Sequence, residues 1–546
     1  MSGAPGEGEA ADYIIVGGGS AGCVLANRLS SDPRNRVVLL EAGGTNKAMW
    51  VKIPAGMHTV VGEPDRNWFR VSQPDPSVND RSLLWFAGKG LGGGSAINGM
   101  VYIRGTQYDY NQWAASGCTG WSWDEVLPYF KRSEDFDGPD SEWHGKGGEL
   151  GVSQLRAIHP LTHDFIQACA DNGIKRLEEY CSGDIDGVYN NYATQKNGRR
   201  ASAAEAFLKP AMRRPNLRVV TGAMVDRVLL EGRRAVGVRY AKDGAVHELR
   251  AKAEVILCAG TMPSPLILMR SGIGPGAQLQ EHDITLAAES AQVGQNLHEH
   301  PTAANSRLVD VPTYNVRNNP FRLASEGLKY LFARRGWLTT AAVHAQAHVR
   351  TSPDLEHPDV KLQLLPFWTD QTTRPYFLPD EPIPDATRHF GVTIAANTVQ
   401  PMSRGEVRLC SADPAAPPVI DFRVYEHPSD LESMRRGLQF ANRLFAAPSL
   451  ARHVTGTAYP PDPDQSDAEW DAQLRACTTI GVHATSTCRM GGDAASVVDP
   501  QLRVRGIEGL RVADCSIFPN LPSANTNAPV IMVAEKCADM VLEDRR

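Results

Sequence analysis

Short apolar runs alternate with helix-like stretches in the N-terminal part of the chain. Residues 12–16 and 36–40 are continuous, β-branched apolar runs, which predict two strands buried on both faces. Residues 23–29 between them have the spacing of a short helix. Further apolar runs at 217–220, 225–228 and 255–257 predict more strands of the same unit. Strand, helix and strand in this order predict an α/β domain with a parallel sheet.

The pattern changes over residues 306–475. Residues 360–365 form an apolar run, and residues 340–349 alternate polar and small apolar residues, which predicts strands of an antiparallel sheet with helices behind it. Residues 530–542 are apolar at helical spacing after Pro529, a residue suited to a first helical turn. The chain therefore predicts two units followed by a closing helix.

Composition narrows the class of protein. The 546 residues are 42% hydrophobic and 22% charged, with a net charge of −6, and no basic run indicates nucleic-acid binding. The ten cysteines form no C-x-x-C pair, which argues against a zinc site or a disulfide framework, and we expect no metal. No secretory signal or transmembrane run is visible, so we expect a cytoplasmic protein; peripheral association with the inner face of a membrane stays open.

A glycine-rich turn follows the first predicted strand. Gly17, Gly19 and Gly22 have G-x-G-x-x-G spacing, and Glu41 follows Gly22 by 19 residues at the end of the second strand. The first glycine permits a tight turn, the second lets the backbone approach a pyrophosphate, and the third lets helix and strand pack closely. The helix N-terminus attracts phosphate, and Glu41 is placed to bind a ribose. This pattern predicts a dinucleotide site without separating NAD from FAD.

A second glycine-rich stretch occupies residues 88–105 and ends in an ordered Val-Tyr-Ile-Arg segment. Such density of glycine predicts backbone packed directly against a ligand. This stretch and residues 260–274 resemble the two signatures of the glucose–methanol–choline (GMC) oxidoreductase family, and the similarity extends over nearly the whole chain. Within the family, the chain most resembles bacterial FAD-linked alcohol and choline dehydrogenases.

The resemblance implies FAD as cofactor. The covalent histidine of some members is replaced here by Ile97, so we expect non-covalent binding. The cofactor-binding residues predicted by the fingerprint and the resemblance together are Gly17, Gly19, Ser20, Ala21, Gly22, Glu41, Ala42, Gly92, Gly93, Ser95, Asn98, Gly99, Met100, Val101, Val225, Ala259, Gly260, Asp514 and Asn527.

The resemblance also implies a catalytic pair near the C-terminus. His483 begins a motif ending in Cys-Arg-Met-Gly and is the expected base; Asn525 is its expected partner, with Asn527 nearer the flavin. An alcohol donates hydride well only when its hydroxyl proton leaves, and a neutral imidazole accepts that proton near neutral pH. Ala484 and Ser486 depart from the Pro and Gly usual in this motif, so the loop is expected to be less rigid.

The substrate pocket is predicted from the second unit. His344 and Gln346 lie on one face of a predicted strand, where related dehydrogenases carry Glu-x-Gly-Gly-Phe. Loss of that carboxylate disfavours choline and favours a substrate with further polar groups, although a solvated strand face explains the pattern equally well. Phe367, Trp368 and Val482 complete the predicted pocket. The cluster 298–300, His-Glu-His, matches a family loop that binds no metal, and a structural role is expected.

The predicted fold is α/β: a Rossmann-like FAD-binding domain (10–155, 195–305 and 480–546) interwoven with an α+β substrate domain (156–194 and 306–479) built on an antiparallel sheet. The predicted reaction is oxidation of a primary or secondary alcohol, with electrons passed to a quinone or another carrier. The alternatives are an oxidase that reduces O2 to H2O2, a flavin-containing lyase, and a non-catalytic flavin-binding protein, which the intact His483 and Asn525 disfavour.

Overall fold

The computed structural model describes residues 10–315, 320–368, 389–460, 462 and 464–545. Its strands are β1 Ala11–Val16, β2 Val37–Glu41, β3 Asn67–Val71, β4 Leu84–Gly88, β5 Val101–Tyr102, β6 Glu134–Phe136, β7 Leu150–Gln154, β8 Gly187–Asn190, β9 Tyr192–Ala193, β10 Gln195–Lys196, β11 Arg199–Arg200, β12 Leu217–Thr221, β13 Met224–Glu231, β14 Arg234–Lys242, β15 Ala245–Leu257, β16 Ile273–Gly274, β17 Ala288–Glu289, β18 Pro301–Val309, β19 Ala345–Val349, β20 Val360–Leu365, β21 Gly391–Thr398, β22 Glu406–Arg408, β23 Val419–Asp421, β24 Val454–Tyr459, β25 Thr479–Ile480 and β26 Leu510–Val512.

The helices of these residues are α1 Ser20–Leu29, α2 Met49–Lys52, α3 Met57–Val60, α4 Gln107–Ala115, α5 Trp123–Ser133, α6 Pro160–Asp171, α7 Lys209–Ala211, α8 Pro263–Arg270, α9 Gly276–Glu281, α10 Pro320–Ala333, α11 Pro428–Ala446, α12 Pro448–Ala451, α13 Asp467–Cys477 and α14 Asn527–Glu543. Within the described ranges, no helix is long and apolar enough to cross a membrane.

The first large sheet has seven strands in the order β12-β2-β1-β15-β14-β13, with β26 paired to β15. Strands β12, β2, β1, β15 and β26 are parallel at the points where they pair, while β13 and β14 form antiparallel hairpins with β15. The apolar runs of β1 and β2 are almost entirely buried, as their lack of alternation predicted. The carboxyl ends of β1, β2, β15 and β26 therefore meet along one edge, where an open α/β sheet binds its ligand.

The second large sheet has six antiparallel strands in the order β19-β20-β21-β18-β24, with β25 paired to β18. Helix α11 packs behind it: a Cβ at Gly437 would lie 2.9 Å from the Val360 side chain. The opposite face therefore carries Gln363 and Leu365, which alternate with the residues that face the helix. The predicted mixed architecture, a Rossmann-like sheet with an antiparallel α+β sheet, is confirmed.

Helix α14 is fixed by charged neighbours on two other helices. The fully buried carboxylate of Glu535 pairs with Arg28 of α1 and with Arg132 of α5, both at 2.7 Å. Arg132 also pairs with Asp539 one turn further along α14 (2.8 Å). These pairs and the apolar face of α14 fix where the N-terminus of this helix lies.

Candidate active site

The turn after β1 requires glycine at two positions. Gly17 has φ +103°, and a Cβ there would lie 2.4 Å from the carbonyl oxygen of Cys258. A Cβ at Gly22 would lie 1.9 Å from the carbonyl oxygen of Gly17, so β1 and α1 pack this closely only with glycine. At Gly19 the nearest atom to a Cβ is 4.0 Å away, and the backbone faces a cavity. Gly17 and Gly22 therefore make the close backbone contacts that their spacing predicted, whereas the approach of a pyrophosphate to Gly19 stays a prediction.

Glu41 joins this turn to two other segments. Its carboxylate accepts hydrogen bonds from the backbone N–H groups of Gly18 (2.7 Å), Gly43 (2.7 Å) and Gly90 (3.0 Å). Burial raises the pKa of Glu41, and these three donors oppose that rise. Glu41 also lines the cavity, so its predicted contact with a ribose stays a prediction beside its observed role in holding the turn.

The second glycine-rich stretch is held against the same cavity by buried polar side chains. Ser95 Oγ accepts from the N–H of Ala203 (2.9 Å) and donates to Gly92 O (2.5 Å). The buried guanidinium of Arg200 donates to Asn98 O (2.7 Å) and to Asn98 Oδ1 (2.8 Å), and burial lowers its pKa to about 9. These contacts press the backbone of residues 93–101 against the cavity.

The cavity has a volume of about 600 Å³. It begins at the carboxyl edge of the parallel sheet and extends to the polar face of the antiparallel sheet. The predicted site residues that line it are Gly17, Gly19, Ser20, Ala21, Glu41, Ala42, Gly93, Ser95, Asn98, Gly99, Met100, Val101, Val225, Ala259, Gly260, Phe367, Val482, His483, Asp514, Asn525 and Asn527. Gly22, Gly92, His344, Gln346 and Trp368 are not among the lining residues.

The N-termini of α1 and α14 both open on the cavity. The first N–H groups of α1 have no side-chain cap, and neither do those of α14. Ser20 and Asn527, the first residues of the two helices, are joined by a hydrogen bond from Ser20 Oγ to Asn527 Oδ1 (3.0 Å). Free N–H groups and positive helix dipoles favour negative charge. Uncapped helix ends and an open backbone at Gly19 fit a dinucleotide.

The predicted catalytic pair is in direct contact. His483 Nε2 and Asn525 Nδ2 lie 2.8 Å apart. On the other side of the imidazole, His483 Nδ1 lies 3.0 Å from His300 Nδ1, and His300 Nε2 lies 2.9 Å from the carbonyl oxygen of Val399. All four groups therefore form one hydrogen-bonded chain.

The partners in this chain determine which imidazole nitrogens carry hydrogen. A carbonyl only accepts, so His300 Nε2 carries the hydrogen and His300 Nδ1 is an acceptor. His483 Nδ1 must then be the N–H donor, which leaves His483 Nε2 with its lone pair free to accept from Asn525. The nitrogen that points to Asn525 is thus the basic one. Burial lowers the pKa of both imidazoles well below the ordinary value, so both are neutral near pH 7.

Glu299 holds the loop that carries His483. Both carboxylate oxygens accept from the backbone N–H of His483 (2.7 and 2.9 Å), and Oε1 also accepts from the N–H of His300 (2.8 Å). Burial raises the pKa of Glu299 to about 8, against the pull of these donors. Val482 has φ +62° and Ser486 has φ +77°, so the loop is strained on both sides of His483 and needs such contacts.

The polar residues predicted for the substrate pocket are buried beside the cavity. His344 Nδ1 accepts from the N–H of His159 (3.1 Å), and burial lowers the pKa of His344 to about 3. The Gln346 side chain is fully buried. The strand begins at Ala345 rather than at residue 340, so His344 precedes it. Phe367 and Val482 line the cavity, whereas Trp368 donates from Nε1 to His389 O (3.3 Å). A direct substrate contact of His344, Gln346 or Trp368 stays a prediction without support from this geometry.

Several site residues were missed from the sequence. His300 and Glu299 were expected to be structural, and they contact His483 directly. Gln363, Thr393 and Asn397 line the cavity from the antiparallel sheet, and Lys361 contacts Asn525. A polar residue at every second position of an otherwise apolar strand, as at 361 and 363, was the available signal.

Comparison with known proteins identifies the family. Residues 11–302 match the N-terminal model and residues 401–534 the C-terminal model of GMC oxidoreductase. The chain is 39% identical over 540 residues to an alcohol dehydrogenase [acceptor] of Pseudomonas putida, covering 97% of this chain and 95% of that protein. It is 37% identical over 535 residues to an oxygen-dependent choline dehydrogenase of Brucella anthropi, covering 97% and 95%.

Solved structures with the same fold include two oxidases. Pyridoxine 4-oxidase from Mesorbium loti superposes with a TM-score of 0.86 at 30% identity, covering 97% of this chain and 98% of that one. A variant of formate oxidase from Aspergillus oryzae gives a TM-score of 0.90 at 27% identity, with 99% of both chains covered.

Proposed function

The chain belongs to the GMC oxidoreductase family and uses FAD, and from that premise we propose that it oxidises a primary or secondary alcohol to the carbonyl compound, with His483 as the base. The observation that carries the proposal is the hydrogen-bonded chain from Val399 through His300 to His483. It leaves Nε2 of a neutral imidazole as an acceptor at the cavity wall, where a substrate hydroxyl can reach it.

FAD, when bound, supplies the hydride acceptor of the reaction. His483 Nε2 takes the hydroxyl proton of the alcohol. Meanwhile His300 Nδ1 accepts from His483 Nδ1 and so keeps the other hydrogen of the His483 ring on that nitrogen. When the alcohol binds, Asn525 Nδ2 exchanges its contact with His483 Nε2 for one with the substrate oxygen and donates to that oxygen as negative charge develops on it. The N-terminus of α14 favours negative charge in the cavity that it faces. Ile97, buried at the cavity wall, offers no nucleophile, which supports non-covalent binding of the cofactor.

The charged residues of the cavity disfavour a cationic substrate, since Arg70 and Arg270 line it and its carboxylates are engaged. Among the lining residues, the carboxylates are Glu41 and Asp514. Glu41 is bound to the backbone of the glycine-rich turn, and Asp514 accepts from the N–H of Gly260 (2.8 Å) and from Ser264 Oγ (2.5 Å). Neither is free to pair with a quaternary ammonium. Gln363, Thr393 and Asn397 offer hydrogen bonds to a substrate that carries further hydroxyl groups.

We propose a dehydrogenase that passes electrons to a quinone or another carrier; the Pseudomonas relative is likewise named a dehydrogenase with an unspecified acceptor. The rival is an oxidase that releases H2O2, and the two structural neighbours named as oxidases favour it. Rapid reoxidation of the reduced flavin by air would decide for the oxidase. The cytoplasmic location and the peripheral membrane contact stay predictions, which cell fractionation tests.

The test is anaerobic. The purified holoenzyme is mixed with aliphatic, aromatic and polyhydroxylated alcohols, and the visible flavin absorbance is followed. We expect bleaching by at least one class and little by choline. A flavin that no alcohol bleaches would contradict the proposed reaction and favour the lyase.

A further inference from the structure

A buried lysine lies next to the catalytic pair without lining the cavity. Lys361 is on β20 and is 0% exposed. Its strand neighbours in the same row of the antiparallel sheet are His348 on β19 and Asn397 on β21. Gln363, two residues along, lies on the same face and lines the cavity. Lys361 therefore belongs to the sheet face that meets the active site.

The ammonium group of Lys361 contacts the partner of the base. Lys361 Nζ donates to Asn525 Oδ1 at 3.4 Å, while Asn525 Nδ2 lies 2.8 Å from His483 Nε2. A carboxamide can present its oxygen or its nitrogen in either direction, but an ammonium group only donates and the lone pair of His483 Nε2 only accepts. With a donor at one end and an acceptor at the other, the amide of Asn525 has a single satisfied orientation.

Stability alone does not account for a cation in this position. An ammonium group buried away from water is costly unless it is well paired. Within the described residues, the Lys361 side chain makes one hydrogen bond, to Asn525 Oδ1. A buried ammonium group with so little pairing is costly, so the position of Lys361 beside the catalytic pair points to a role in the active site.

The charge of Lys361 acts on several groups around the site. Its electrostatic effect reaches four titratable groups on the loop before β18, on β19 and on the His483 loop: Glu299, His300, His348 and His483. Burial lowers the pKa of Lys361 to about 7, and Glu299 opposes this shift. Burial also lowers the pKa of His483, and the positive charge of Lys361 lowers it further, because a second cation nearby is unfavourable.

We propose that Lys361 is a positioning residue of the catalytic pair: by donating to Asn525 Oδ1 it turns the amide so that Nδ2, and not Oδ1, faces His483 Nε2 and the substrate oxygen. The positive charge of Lys361 also opposes protonation of His483, in addition to burial. The proposal rests on the proposed function for its meaning in catalysis. Its two physical claims, about the orientation of Asn525 and the protonation of His483, hold independently of the alcohol that is oxidised.

The decisive variant is Lys361→Met, which keeps much of the side-chain volume and removes both the charge and the donor. The first readout is the pKa of His483 in the FAD-loaded protein, from NMR titration of ring-labelled histidine with the His483 signal assigned by its absence in His483→Ala. We expect the pKa to rise by about one pH unit. The second readout is the pH dependence of anaerobic flavin reduction, whose acid limb moves to higher pH by the same amount, since a base with a higher pKa is protonated over a wider range.

Lys361→Gln separates the two roles and also serves if the methionine variant does not fold. Glutamine has no charge but can donate to Asn525 Oδ1, so we expect it to shift the pKa of His483 as methionine does. We expect Lys361→Met to lower the limiting rate of anaerobic flavin reduction about tenfold, the equivalent of ~1.4 kcal/mol. We expect Lys361→Gln to recover part of that rate. Lys175→Met, at an exposed lysine, is the matched control and leaves both readouts unchanged.

An unshifted pKa of His483 in both Lys361 variants would overturn the proposal. If no alcohol reduces the wild-type flavin, the proposed function fails, but the NMR comparison still decides whether Lys361 controls His483. If the wild type is reduced and the variants keep its acid limb, the alcohol reaction stands and the role of Lys361 is excluded.

Discussion

The basicity of a single nitrogen, His483 Nε2, depends on a neighbour that never touches the cavity. His300 donates to Val399 O and accepts from His483 Nδ1, which fixes the hydrogen of the base on the far side of the ring. Without an acceptor at His300, the two tautomers of His483 compete. The orientation of the base is therefore a property of the pair.

Replacing His300 by leucine tests this dependence. His300→Leu removes the acceptor, and we expect the rate constant of anaerobic flavin reduction to fall about tenfold, the value of one hydrogen bond of ~1.4 kcal/mol. Stopped-flow absorbance measures it. His247→Leu, at an exposed histidine of β15, is the control and should match the wild type. A His300→Leu rate within twofold of the wild type, with FAD retained, would contradict the tautomer argument.

Individual site residues could be predicted from the sequence where they lie within a local motif. His483 and Asn525 follow from the motifs around them, and both line the cavity at hydrogen-bond distance from each other. His300 and Lys361 could not be found in this way. They lie 183 and 164 residues from their partners, and only the packing of β18 and β20 brings them to the pair.

In the turn between β1 and α1, two glycines are required for different physical reasons. Gly22 is needed by the protein itself, because a Cβ there meets the backbone of Gly17. Gly19 has room for a Cβ but faces the cavity, so we expect the space beside it to be taken by the cofactor. The two glycines should therefore respond differently to the same substitution.

We expect Gly22→Ala to destabilise the apoprotein by ~1–3 kcal/mol through overpacking, measured as a lower Tm. We expect Gly19→Ala to leave the Tm of the apoprotein close to the wild type and to weaken FAD binding about tenfold or more, measured by titration of apoprotein with FAD. Each variant is the control for the other. Equal effects of both on apoprotein stability would contradict the division of roles.

Elements were predictable where the hydrophobic pattern was continuous. β1, β2, β12, β13 and α14 lie where apolar runs placed them. β1, β2 and most of α14 are buried, whereas β12 and β13 are partly buried. The start of β19 could not be predicted from the pattern. The alternation begins at residue 340, but Trp337–Thr339 form a 3-10 turn and the strand begins at Ala345. Polar and small residues alternate in loops as well, and pairing with β20 sets the boundary.

For the whole molecule, the parallel and antiparallel sheets follow from the order of the patterns, since parallel strands need helical crossovers and hairpins do not. The domain division at 10–155, 195–305 and 480–546 against 156–194 and 306–479 stays a prediction. The cavity that both sheets line depends on how they face each other, which no local pattern specifies. The identity of the alcohol depends on that same long-range packing.

The central claim is that His483 takes the proton of the alcohol. The most direct test is the rate constant of anaerobic flavin reduction by the best alcohol, compared between the wild type and His483→Ala with equal FAD content. The account predicts a fall of about 10²- to 10⁴-fold, the usual contribution of a general base. A variant that retains FAD and is reduced at the wild-type rate would contradict it.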